Sequence, residues 1–104
     1  MRAIKSPFIL INIFTLTPDN QQRLIDLLTK ATKETVKHME GFITSTLHRS
    51  IDGTKVTMYA QWESREKYED MRRNATASPY LEEALSFAKF EMGAYEIVET
   101  FKKG

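Results

Sequence analysis

An indole and a phenol six positions apart, Trp62 and Tyr68, are the side chains of this chain best suited to hold an aromatic ligand. Trp62 is the only tryptophan and closes an alternating run, with Ser64 just beyond it able to cap a helix. The indole therefore stands at a strand-to-helix junction, where pockets of α+β domains open. On a helix starting at Ser64, Tyr68 and Met71 share a face, three residues apart, and can look back at Trp62. A phenol near an indole can orient a planar aromatic ligand and hydrogen-bond it. The alternative is that both rings fill the core, as large aromatics at such spacing commonly do. Asn12 poses the same choice: it interrupts an apolar strand, and an unpaired buried amide costs about 1–3 kcal/mol. It is either a satisfied structural amide or a polar contact for a ligand.

The remaining reactive side chains form no recognisable machinery. His38 and His48 are the only histidines and have no histidine or cysteine at ligand spacing, so a metal site is not expected. Glu82-Glu83 and the Glu63, Glu66 pair read as solvated faces. The four glycines are scattered singly, which makes no phosphate loop, and no Ser-His-Asp order is present. Fifteen basic against fourteen acidic residues create no field for nucleic acid or an anionic membrane. Lys67-Tyr68 and Lys89-Phe90 do not amount to a nucleic-acid surface. The absence of cysteine removes disulfides, thiolate nucleophiles and iron–sulfur sites, and fits a reducing cytoplasm. This pattern favours a binding module, or a reaction in which the substrate does the chemistry.

The elements that must carry these residues can be read from periodicity. At 104 residues the chain is expected to be one domain, 1–104. The apolar run after Met1-Arg2 is short, carries Asn12 and lacks a small-residue cleavage site, so it reads as mature protein. No apolar stretch approaches membrane-spanning length, and without secretion the Asn74-Ala75-Thr76 sequon is a coincidence. Residues 7–16, bounded by Pro7 and Pro18, predict a first strand. Thr17 as N-cap and Pro18 open a helix. Leu24, Leu28, Ala31 and Thr35, beside Ile25, Thr32, Val36 and Met39, carry it at helical spacing to Gly41. Residues 42–50 and 54–63 form a hairpin around Asp52-Gly53. Ser64 opens a short helix to about Arg73, and Ser78-Pro79 caps another through about Lys89. A last strand spans about 92–101, and 102–104 are a frayed tail.

The order β-α-β-β-α-β, with the second helical region broken in two, predicts an α+β, ferredoxin-like fold with an antiparallel four-stranded sheet. Helices cover one sheet face. Along the first strand Ile9, Ile11 and Ile13 alternate with Phe8, Leu10, Asn12 and Phe14; one set meets the helices and the other needs cover. A second copy is the simplest cover, which predicts a homodimer joined sheet face to sheet face.

From Phe8 to about Phe101 the chain resembles the antibiotic biosynthesis monooxygenase family of dimeric α+β barrels. The resemblance is carried by Glu40-Gly41-Phe42, by His48-Arg49-Ser50-Ile51-Asp52-Gly53-Thr54, by Tyr59-Ala60-Gln61-Trp62-Glu63-Ser64 and by Ser78-Pro79-Tyr80. It implies a cofactor-independent oxygenase that converts a small phenol or hydroquinone to a quinone with O2, needing neither metal nor flavin. The substrate's own anion reduces oxygen, while the protein supplies a dry pocket, orientation and donors for the developing oxyanion.

Carried over residue by residue, Trp62 and Tyr68 match the pocket tryptophan and tyrosine of the quinone-forming members. Their asparagine four residues before the tryptophan is Met58 here, a soft apolar contact, and their pocket arginine falls near Glu82. Some relatives degrade haem. Asn12 matches their first-strand asparagine, but their tryptophan falls at Met71 and their axial histidine at about Leu85, so haem is not expected. The resemblance thus implies Trp62, Tyr68 and Asn12 as the working residues, with Met58, Met71, Phe14 and Tyr80 against the substrate. On this reading Trp62→Ala lowers turnover and ligand affinity more than stability. The rival expectation is a non-catalytic barrel that binds a hydrophobic small molecule; a third is a dimerisation module without a pocket.

Overall fold

The computed structural model describes residues 7–74 and 78–104. Four strands, β1 (Phe8–Thr15), β2 (Phe42–Arg49), β3 (Lys55–Trp62) and β4 (Lys89–Tyr95), form one antiparallel sheet in the order β2-β3-β1-β4. Helices α1 (Pro18–Glu34), α2 (Arg65–Arg72) and α3 (Ser78–Leu85) complete the predicted α+β, ferredoxin-like order. None of the described helices is long and apolar enough to cross a membrane.

In β1, Phe14 and Leu10 pack towards the helices, with Leu24 and Leu28 of α1 and Val56 of β3 in the same layer. Strand alternation sends Ile9, Ile11 and Ile13 to the opposite face. There Ile9 is buried, whereas Ile11 and Ile13 are only half-buried. Gln21, the one buried polar residue of α1, donates to the carbonyl oxygens of Ser50 (3.1 Å) and Lys55 (3.0 Å) and fastens the helix to the hairpin.

Three boundaries differ from the periodicity. The long helix ends at Glu34, not Gly41, and a single 3-10 turn, Val36–His38, follows. Thr32, Thr35 and Val36 crowd the preceding turn as β-branched residues, and Thr32 Oγ1 already donates to the Leu28 carbonyl at 2.8 Å. Gly41 instead serves the turn before β2: its φ is +90°, and a Cβ there would run into the Lys67 side chain. Helix α3 stops at Leu85 rather than Lys89, because Phe90 is already paired opposite Phe14 in the sheet. The last strand runs Lys89–Tyr95 rather than 92–101. Strand β4 pairs only with β1 among the described residues, and that ladder ends at Ile9 opposite Tyr95. The glycosylation sequon lies partly outside the described residues, as does any cap preceding Ser78.

The Asp52-Gly53 turn is built as expected. Gly53 has φ +84°, and the Asp52 carboxylate accepts from the Thr54 amide (3.0 Å), the Thr54 hydroxyl (2.8 Å) and the Ser50 hydroxyl (2.9 Å).

Candidate active site

Between the sheet and the three helices lies a cavity of about 320 Å³. Its floor is the helix-facing side of the sheet: Leu10, Asn12 and Phe14 of β1, Met58, Ala60 and Trp62 of β3, Ser45 of β2 and Phe90 of β4. Helix α1 walls one side with Leu28, Ala31 and Thr32. Helices α2 and α3 close the other with Tyr68, Met71 and Arg72, and with Tyr80, Leu81, Glu82 and Leu85. All seven residues singled out from the sequence, Asn12, Phe14, Met58, Trp62, Tyr68, Met71 and Tyr80, line this one cavity. A second depression, beside Phe8, Arg65 and Tyr95, is shallow and open to solvent.

Trp62 belongs to the core as well as to the cavity wall, being 1% exposed. Phe42 meets its ring edge-on at 5.4 Å between centroids, and Tyr68 does so at 6.1 Å. Removing such a ring costs about 3–5 kcal/mol of core packing. Trp62→Ala is therefore expected to unfold the protein as much as empty the pocket, unlike the selective loss anticipated from sequence. Tyr68 is held at the correct height by α2, whose N-cap Ser64 accepts from the Lys67 amide at 3.2 Å. Phe8 packs on its ring at 5.6 Å. Its hydroxyl donates to Met92 Sδ at 3.0 Å and accepts from Arg72 Nη1 at 2.8 Å.

Two oxygens of the floor are orphaned. Asn12 Oδ1 and Ser45 Oγ are buried and make no hydrogen bond with the protein. Asn12 sits in the middle of the sheet, opposite Met58 on one side and Met92 on the other, and neither side chain can donate to it. Ser45 was missed by the periodicity because β2 carries a bulge: Phe42 pairs with Trp62, but Thr44 pairs with Gln61. One extra residue inverts the alternation, so Ser45 faces the cavity and Leu47 packs on the adjoining core, in place of Thr44 and Thr46.

Tyr80 is differently engaged. Its hydroxyl donates to Glu34 Oε1 at 3.1 Å, and burial first, then this carboxylate, push its pKa above the ordinary phenol value. It stays neutral and tied to α1. Neither histidine lines the cavity: His38 Nε2 meets the Lys33 carbonyl at 3.0 Å and His48 Nδ1 the Thr57 carbonyl at 3.3 Å. Arg72 is on the cavity wall, as is Glu82. The arrangement can enclose a flat apolar ligand, with Asn12, Ser45, Tyr68 and Arg72 as its polar contacts.

Comparison with known proteins places this geometry. The family model for antibiotic biosynthesis monooxygenase matches residues 7–83. Tetracenomycin-F1 monooxygenase of Streptomyces glaucescens is 32% identical over 94 residues, covering 90% of this chain and 84% of the relative. Among solved structures, a monooxygenase from the ActVA-Orf6 gene of Streptomyces coelicolor, in complex with nanaomycin D, superposes with a TM-score of 0.76. It is 28% identical, over 95% of this chain and 94% of that one. SnoaB, a cofactor-independent oxygenase from Streptomyces nogalater, shares the fold with a TM-score of 0.83 at 16% identity, over 95% of this chain and 100% of that one.

Proposed function

The chain belongs to the antibiotic biosynthesis monooxygenase family, and we propose that it is a cofactor-independent monooxygenase oxidising a small electron-rich aromatic, phenol or hydroquinone to quinone, with O2. The observation that carries this reading is the cavity itself: an apolar lining of Leu10, Phe14, Met58 and Trp62, with polar groups confined to a few fixed points. Such a site orients a flat substrate and presents donors where its oxygen gathers charge. The substrate anion gives up electrons to O2. One oxygen atom forms a bond to the ring carbon, and the other leaves as water with the two hydrogens lost. Trp62 shapes the pocket, Tyr68 is the donor to the substrate oxygen, and Asn12 and Ser45 bind its polar substituents. Met58, Met71, Phe14 and Tyr80 pack against the ring system. The relatives' names, two monooxygenases and a cofactor-independent oxygenase, support the same chemistry.

Oxygen uptake by metal-stripped protein over a panel of hydroquinones and anthrone tests it. Uptake above the spontaneous rate is expected, falling about tenfold or more in Tyr68→Phe, which keeps the ring and removes one donor. No uptake by any compound, with Trp62 fluorescence still quenched by some, would establish the second reading, a barrel that binds a hydrophobic aromatic without turning it over. That reading is favoured by two cavity residues, Met58 and Glu82, which replace the amide and the cation implied by the family resemblance. We further propose that two copies pair through the sheet face carrying Ile11 and Ile13, supported by their incomplete burial.

A further inference from the structure

Among the described residues lining the cavity, Arg72 and Glu82 are the only charged ones, and they sit on different helices, α2 and α3. Glu82 brings an anion, which opposes any stabilisation of a substrate oxyanion. Arg72 brings the opposite charge. It lies one helical turn after Tyr68, so its guanidinium reaches back over the phenol, 5.9 Å from the ring centre, with Nη1 2.8 Å from Tyr68 Oη. Among the described residues no carboxylate forms an ion pair with it, whereas Arg65 and Arg73 on the same segment are paired with Glu69 and Asp70.

The hydroxyl that Arg72 contacts is incompletely employed. A phenol oxygen has one proton and two lone pairs. Arg72 fills one lone pair, and the proton rests on Met92 Sδ, a weak acceptor. A thioether yields that proton readily to an anionic oxygen, the strongest acceptor a ligand can offer.

We propose that Arg72 is a positioning residue that makes Tyr68 the charge-assisted donor to the substrate oxyanion, supplying from α2 the cation that the site lacks at Glu82. Arg72 acts through the phenol: it fixes the hydroxyl, polarises its O–H bond and leaves the proton free to turn from Met92 to the ligand. This rests on the reading of the cavity as a site for an aromatic anion.

The test uses equilibrium binding followed by quenching of Trp62, with alizarin as its monoanion at mildly alkaline pH and anthraquinone as the neutral probe of the same ring system. Arg72→Met is expected to weaken alizarin about tenfold, the worth of one charge-assisted hydrogen bond, and anthraquinone by less than about twofold. In a Tyr68→Phe background the same substitution is expected to change neither, because the phenol that transmits it is gone. An alizarin loss that persists in the Tyr68→Phe background, an equal loss for both probes, or no loss at all would each overturn the inference while leaving the pocket intact. Absence of quenching by either compound in the unaltered protein overturns the pocket reading and takes this inference with it. Arg72 is exposed, so its loss leaves the core untouched.

Discussion

Asn12 and Ser45 hold buried oxygens that the protein does not satisfy. A polar group in that state weakens the fold, so replacing it by an apolar group of similar shape is neutral or stabilising. Asn12→Leu and Ser45→Ala are accordingly expected to raise the urea midpoint or leave it unchanged, while affinity for a hydroxylated aromatic falls about tenfold, the worth of one hydrogen bond to ligand. Both quantities are read from the same samples, by denaturation and by Trp62 quenching. A stability loss with binding intact would make these groups structural. Tyr68 differs from them because its hydroxyl already has two partners, Arg72 and Met92. Its role lies in exchanging one of them, and its removal is read in activity.

The elements are closed by local chemistry, and the hairpin turn shows how. Hydrogen bonds from the Thr54 amide, then from the Thr54 and Ser50 hydroxyls, hold the Asp52 carboxyl below the usual carboxylate value. The folded value lies under the unfolded one, so the contribution to stability is present above the unfolded value and is lost as pH falls through the folded value. Asp52→Ala is expected to lower the melting temperature at neutral pH, with the difference from the unaltered protein shrinking on acidification; a difference constant down to low pH would refute it. Because Gln21 donates to the carbonyls of Ser50 and Lys55, loosening this turn also loosens α1 against the sheet. Helix α2 is closed differently. Its Lys67 pairs with Glu40 at 2.8 Å and leans on Gly41, which ties the helix bearing Tyr68 and Arg72 to the turn before β2.

At the scale of the whole molecule the helices occupy one sheet face, and the other carries half-buried Ile11 and Ile13. Beyond β4, Ile97, Val98 and Phe101 are also exposed. Apolar surface on this scale is stabilised by association. Light scattering at micromolar concentration is expected to return the mass of two chains, and Ile11→Glu, which introduces a charge on that face, is expected to return one. A monomer in the unaltered protein would refute the pairing. Since the cavity lies between the sheet and the helices and Ile11 is not part of its lining, the Ile11→Glu monomer should still quench Trp62 with aromatic ligands.

The element order, the division of β1 into two alternating sets and the Asp52-Gly53 turn follow from spacing, because alternation, apolar periodicity and turn chemistry are local properties of the chain. Asn12, Trp62 and Tyr68 were legible for the same reason: each breaks or ends a local pattern. That Leu10, Asn12 and Phe14 are the set facing the helices was decided by the tertiary structure. Three features depended on contacts between segments distant in sequence. The bulge at Phe42/Thr44 brings Ser45 into the cavity and arises from how β2 meets β3. The ladder between β1 and β4 ends at Ile9 opposite Tyr95 among the described residues, although the residues beyond Tyr95 carry strand-forming side chains. Arg72, one of several arginines in its stretch of sequence, acquires its place only once α2 packs Tyr68 against Met92 of β4. Sequence periodicity says which face a residue shares; what stands opposite that face is decided when the sheet and helices close on each other.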